Sequence, residues 1–150
     1  MELRFWSSSI HLKDHLCKPD LKTVESRSKP RWTAALGQLA QDPAVYMKFS
    51  GSLNEFGEKA PESVDEIVEG MRYYAHKTFE LFGPRRIMFG SDWPVCNLGG
   101  PTSESSWGLW KEVVERWMKE LKLSAEDRRR VWYETAAEAY GIDIGKYLSE

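Results

Sequence analysis

Long apolar runs are missing from this sequence. No segment has the uninterrupted length that a membrane span needs, and the opening stretch Met1–Ser7 is too short in apolar residues for a secretory signal. Cysteine is scarce as well: Cys17 and Cys96 are the two in the chain, and they lack the close spacing of a CxxC redox or zinc pair. A reduced, cytoplasmic protein is the expectation. An excess of either charge is also absent, with 21 Lys and Arg against 23 Asp and Glu. The two signs are interspersed, which leaves no basic stripe for nucleic acid or an anionic membrane and points instead to a small-molecule substrate or a protein partner. The Arg128-Arg129-Arg130 run, inside a helical stretch, reads as a solvated face.

What is present is an alternation of short extended runs with longer helical ones, in a chain of 150 residues that can bury one substantial core. The first run, Ile10–Leu16, has apolar residues at alternate positions and stops at Lys18-Pro19-Asp20. Pro30 fits a first helical turn, followed at helical spacing by Trp32, Ala35, Leu36 and Leu39. The second run, Ala44–Gly51, follows Asp42-Pro43 and ends at a glycine turn. Pro61-Glu62-Ser63 opens a long amphipathic helix through Val64, Ile67, Val68, Met71, Ala75, Phe79 and Leu81, closed by Phe82-Gly83-Pro84. The third run is Arg86–Pro94. Another helix spans about Glu104 to Leu121, and Ser124-Ala125-Glu126-Asp127 caps a last one ending at Tyr140-Gly141. Strands separated by helices of this length predict an α/β fold with a parallel sheet joined by right-handed crossovers.

In such folds the reacting groups sit at the C-terminal ends of the strands. Those ends carry Asp14-His15, Lys48 with Ser50, and Asp92. Asp92 directly follows an apolar strand, where a carboxylate is poorly solvated and calls for a metal, a cation or a substrate proton. Its plain alternative is a turn aspartate that caps the next segment. His15 could ligate a divalent metal or polarise a carbonyl, with Asp14 orienting it, although a single histidine near a strand end is commonly structural. A histidine and an aspartate from different strands of one parallel sheet can share a metal or a water above the same mouth. Lys18 and Lys48 could neutralise a substrate carboxylate, or serve simply as solvated charges. Ser50 lacks the Gly-x-Ser-x-Gly elbow of a nucleophile. His76 lies inside the long helix as a packing or surface residue, and the direction of His11 is open.

Taken in order, these segments resemble the amidohydrolase-related family of TIM-barrel metal-dependent hydrolases. Asp14-His15-Leu16-Cys17-Lys18-Pro19 resembles the Asp-His-x-x-Lys-Pro segment ending that family's sixth barrel strand. Val45–Gly51 resembles its seventh strand, Arg86–Pro94 its eighth-strand signature, and Thr135–Gly141 its closing helix. The resemblance covers about residues 14–140, within a single partial domain taken as 1–150, and implies the last three or so units of a (β/α)8 barrel. It implies hydrolysis of a lactone, amide or related ring bond in a small substrate, with lactonases the nearest-looking relatives. Asp92 matches the eighth-strand aspartate, which acts as general base toward water and, in metal-containing members, also binds the ion. His15 matches the sixth-strand histidine, a metal ligand or substrate-facing group. A divalent metal such as zinc is implied, or none, since lactonase-like members work both ways.

The chain departs from the family pattern in having no His-x-His anywhere and no further histidine from a middle strand. His15 and Asp92 alone are too few ligands for a three-ligand catalytic zinc. Three parallel strands leave a barrel open, with an unpaired edge. The sequence therefore predicts a truncated copy of doubtful independent activity, or a non-catalytic module that binds a missing half-barrel or a second copy of itself through that edge.

Overall fold

A computed structural model describes residues 4–7, 25–50, 53, 61, 63–93, 96 and 106–146. Three strands, β1 (Arg4–Ser7), β2 (Val45–Phe49) and β3 (Ile87–Phe89), form one parallel sheet in the order β1-β2-β3. Arg4 pairs with Val45 and Ser7 with Lys48 on one side of β2; Met47 pairs with Ile87 and Phe49 with Phe89 on the other. The helices α1 (Glu25–Ala40), α2 (Val64–Phe82), α3 (Ser106–Glu120), α4 (Ala125–Arg129) and α5 (Thr135–Tyr140) fill the intervals, with a π-helical turn at Arg130–Glu134 between the last two.

The first strand lies upstream of the stretch that alternation singles out. Pairing with the edge of β2 makes Arg4–Ser7 a strand, and strand formation depends more on such neighbours than on local pattern. The expected Ile10–Leu16 run lies outside the described residues. Pro30 is likewise not in a first turn, since α1 begins upstream at Glu25 and carries it internally. Its fixed φ suits a helix, and the helix forgoes one backbone bond there. The second run and the long helix fall where periodicity puts them, while of the third run, Arg86–Pro94, the strand takes up Ile87–Phe89 among the described residues.

Val45, Met47 and Phe49 are buried while Tyr46 and Lys48 are half-buried, so β2 turns one face to the helices. On that face Phe49 is the hub, with ring centroids 5.6 Å from Phe79, 5.4 Å from Trp110 and 5.6 Å from Trp117. Helix α2 contributes Ile67, Val68, Ala75, Phe79 and Phe82, and α3 contributes Trp110, Val113, Val114, Trp117 and Met118. Burying Trp117 would strand its indole N–H, which instead donates to the Val68 carbonyl at 3.2 Å.

The chain ends its helices with local devices. Gly83, at φ 66°, donates its N–H to the Phe79 carbonyl and stops α2. Ser124 and Asp127 form a reciprocal capping box at α4. Gly141 closes α5 in the left-handed conformation. Arg86 donates to the Ala40 carbonyl at 3.0 Å, to Leu81 at 3.3 Å and to Asp42 at 3.0 Å, tying the ends of α1 and α2 beneath the sheet. The arginine run is less solvated than its sequence suggests: Arg130 is half-buried and pairs with Glu134 at 3.3 Å and Glu138 at 2.8 Å. Among the described residues no helix is long and apolar enough to cross a membrane.

Candidate functional site

Parallel pairing brings the C-terminal ends of β2 and β3 to one edge of the sheet. Lys48 lies there on β2, on the face opposite the buried Met47 and Phe49, and its register partner is Met88. The ladder continues one residue past β3, where the Gly90 N–H donates to the Phe49 carbonyl at 3.1 Å. Beyond that point the strands crowd each other. A Cβ on Gly90 would stand 2.9 Å from the Cβ of buried Ser50, so glycine is what lets the β3 backbone pass.

The opposite side of Gly90 is fixed by the core. Trp110 of α3, itself buried, donates its indole N–H to the Gly90 carbonyl at 3.1 Å. The chain then turns at Asp92, which has φ 59°. A non-glycine residue in this left-handed region costs about 1–2 kcal/mol, although aspartate tolerates it better than most. Two contacts brace the turn. The Asp92 carbonyl accepts the Cys96 N–H at 2.8 Å, and the Ser91 hydroxyl oxygen accepts the Trp93 N–H at 3.3 Å. Asp92 is half-buried while Trp93 stands in solvent, 69% exposed.

Cys96, buried against this turn, has its thiol pushed above the ordinary range, first by burial and then by the negative charge of Asp92, with a backbone hydrogen bond opposing. It is a neutral thiol at neutral pH. Sequence reading gave Cys96, Ser91 and Trp110 no role. Cys96 acts through its backbone N–H and Ser91 through a hydroxyl turned onto the backbone two residues on, and Trp110 reaches Gly90 from 20 residues along the chain.

Of the residues singled out by sequence, the structure sets Lys48 and Asp92 at the C-terminal ends of neighbouring strands. His15 and Lys18 lie outside the described residues. His76 sits on α2, 3.5 Å from Glu120 of α3, as a packing and surface residue. No group of three His, Cys, Asp or Glu that could hold a metal occurs among the described residues, so Asp92 has no described companions in a ligand set.

A sequence model of the amidohydrolase family matches residues 13–142. An L-fucono-1,5-lactonase of Burkholderia multivorans is 36% identical over 131 residues, covering 86% of this chain and 42% of that protein. An L-rhamnono-gamma-lactonase of Scheffersomyces stipitis is 28% identical over 138 residues, covering 88% of this chain and 40% of that protein. A crystal structure of an amidohydrolase from Burkholderia multivorans with bound zinc superimposes with a TM-score of 0.62 at 35% identity, over 84% of this chain and 42% of that one. The chain thus spans about two fifths of the relatives it matches, at 42% and 40% of their lengths.

Proposed function

The chain belongs to the amidohydrolase family, and on that premise we propose that it carries one wall of a site that hydrolyses a small lactone. In this reading the sheet is the last three or so units of a (β/α)8 barrel, whose strand ends open on the substrate. The observation that carries the reading is Asp92, held at a strand end in a braced left-handed turn beside the β2 end that bears Lys48. Lactonases among the relatives supply the substrate class.

The chemistry that this chain's own residues provide is proton transfer and charge. The Asp92 carboxylate takes a proton from water as the water oxygen attacks the lactone carbonyl carbon. The ring C–O bond then breaks, the ring oxygen gains a proton, and an open-chain hydroxy acid leaves. The ammonium groups of Lys48 and Lys18 offset the negative charge that develops on the oxygen atoms of the substrate. His15 polarises the carbonyl. Asp92 and His15 would be the ligands of a divalent ion such as the zinc of the Burkholderia structure, whose chemistry is polarising a carbonyl and acidifying water. The described residues supply too few donors to hold one.

A second reading is favoured by the sheet edges. Among the described residues β1 and β3 each pair on one side only, which suits a module that binds a complementary half-barrel or a second copy of itself. One experiment separates the two. Purified chain is assayed for hydrolysis of L-fucono-1,5-lactone beside Asp92→Asn, with light scattering on both. Asp92-dependent turnover supports the hydrolase; a stable complex with no turnover, unaffected by the substitution, supports the module and sinks the hydrolase.

A further inference from the structure

We propose that Trp93 is the platform on which the ring of a sugar-derived lactone stacks, so that this residue selects polyhydroxylated five- or six-membered lactones. The inference rests on the lactone-hydrolase reading and adds the substrate-binding surface. Trp93 is 69% exposed, against 46% for Trp107, and Trp110 and Trp117 are buried in the core. An indole this exposed at a strand end is unusual, because tryptophan is among the side chains that gain most from burial.

The backbone beneath it is not loose. The Trp93 N–H is held by the Ser91 hydroxyl at 3.3 Å, and the preceding residue is locked at φ 59° by the bond from Cys96 to the Asp92 carbonyl at 2.8 Å. Strain of this kind persists where the surroundings over-determine it, and it marks sites that display a side chain. The turn therefore presents a carboxylate and an indole as adjacent residues, with Cα atoms about 3.8 Å apart across the shared peptide.

A sugar lactone has a matching pair of features. One face of its ring is largely C–H bonds, which an aromatic plane covers well, and its carbonyl lies at the ring edge. Because the two residues share a peptide, a ring held on the indole lies within a side chain's length of Asp92. Aromatic walls with a few placed polar groups are the usual composition of such sites.

The test uses the whole chain with L-fucono-1,5-lactone for turnover and the corresponding lactam, which resists hydrolysis, for calorimetric binding. Because the side chain is mostly in solvent, Trp93→Ala leaves the core intact. Its expected effect is about a tenfold rise in KM and in lactam Kd, with kcat nearly unchanged. Trp93→Phe should recover most of the affinity and Trp93→Leu less of it. If the wild-type chain binds no lactam, or Trp93→Ala binds it as tightly as wild type, the platform is overturned. A lowered solution mass for Trp93→Ala at unchanged Kd also overturns it, since the indole then packs against protein. Turnover that needs Asp92 but ignores Trp93 leaves the hydrolase standing and removes the platform; lactam binding that needs Trp93 without Asp92-dependent turnover does the reverse.

Discussion

Trp110 donates its indole N–H to the Gly90 carbonyl at 3.1 Å, joining the buried face of α3 to the strand end that leads into Asp92. The same ring lies tilted against Phe49, with centroids 5.4 Å apart, and edge-on to Trp117 at 5.7 Å, so it cannot swing away without opening the core. Trp110→Phe keeps part of the ring contact, deletes the donor and leaves a small cavity. The expected loss is about 2–4 kcal/mol of unfolding free energy, read by urea denaturation. In a chain that turns over lactone, kcat should fall as well, because the backbone that sets Asp92 loses its anchor.

Gly90 and Ser50 are fitted to each other. A methyl group at Gly90 would meet the Ser50 Cβ at 2.9 Å, and both partners lie in or next to a parallel ladder that resists widening. Gly90→Ala should destabilise the fold by about 1–3 kcal/mol. Adding Ser50→Gly clears the contact, so the double variant should regain part of the loss. Additive effects in a thermal double-mutant cycle would refute the steric explanation.

Much of this architecture is legible in the sequence where a local pattern and its burial agree. Alternation in Val45–Phe49 puts three residues on the core side, and Ser63 and Gly83 bound α2 where expected. Strand β1 escapes the pattern because four residues become a strand through pairing with β2, which no local signal encodes. Asp92 is legible because a carboxylate following an apolar strand needs a physical reason to be there. Its left-handed φ and the Cys96 bond are not, since a backbone angle is set by what packs around it. The Trp110 bond to Gly90 joins positions 20 residues apart and needs the fold to exist first.

Arg86 offers a separate check on what holds the lower end of the sheet. Its two terminal nitrogens reach the carbonyls of Ala40, Asp42 and Leu81, and its guanidinium lies 5.1 Å from the Phe82 ring centroid. Helix C-terminal carbonyls carry partial negative charge and otherwise lack partners. Lysine keeps the charge but not the planar fork, so Arg86→Lys should still cost about 1–2 kcal/mol. Arg86→Met should cost more. Equal melting temperatures for wild type and Arg86→Lys would show that charge alone suffices.

Tyr46 ties the half-buried face of β2 to α5 through its hydroxyl, which donates to Glu138 at 3.4 Å. Burial raises its pKa above the ordinary 10.0, and the Glu138 charge and hydrogen bond raise it further, while Arg86 opposes them. The native state therefore holds this proton more tightly than the unfolded chain does. Linkage gives the sign: the contribution is fully present below pH 10.0 and is lost as pH rises from there through the folded pKa. Wild type should lose stability over that interval more steeply than Tyr46→Phe, which has no proton to release. Glu138→Gln should draw the titration, followed by tyrosinate ultraviolet absorbance against Tyr46→Phe, down toward the ordinary value. An unchanged alkaline stability slope in Tyr46→Phe would mean that the hydroxyl titrates alike in both states and that the contact with α5 contributes nothing there.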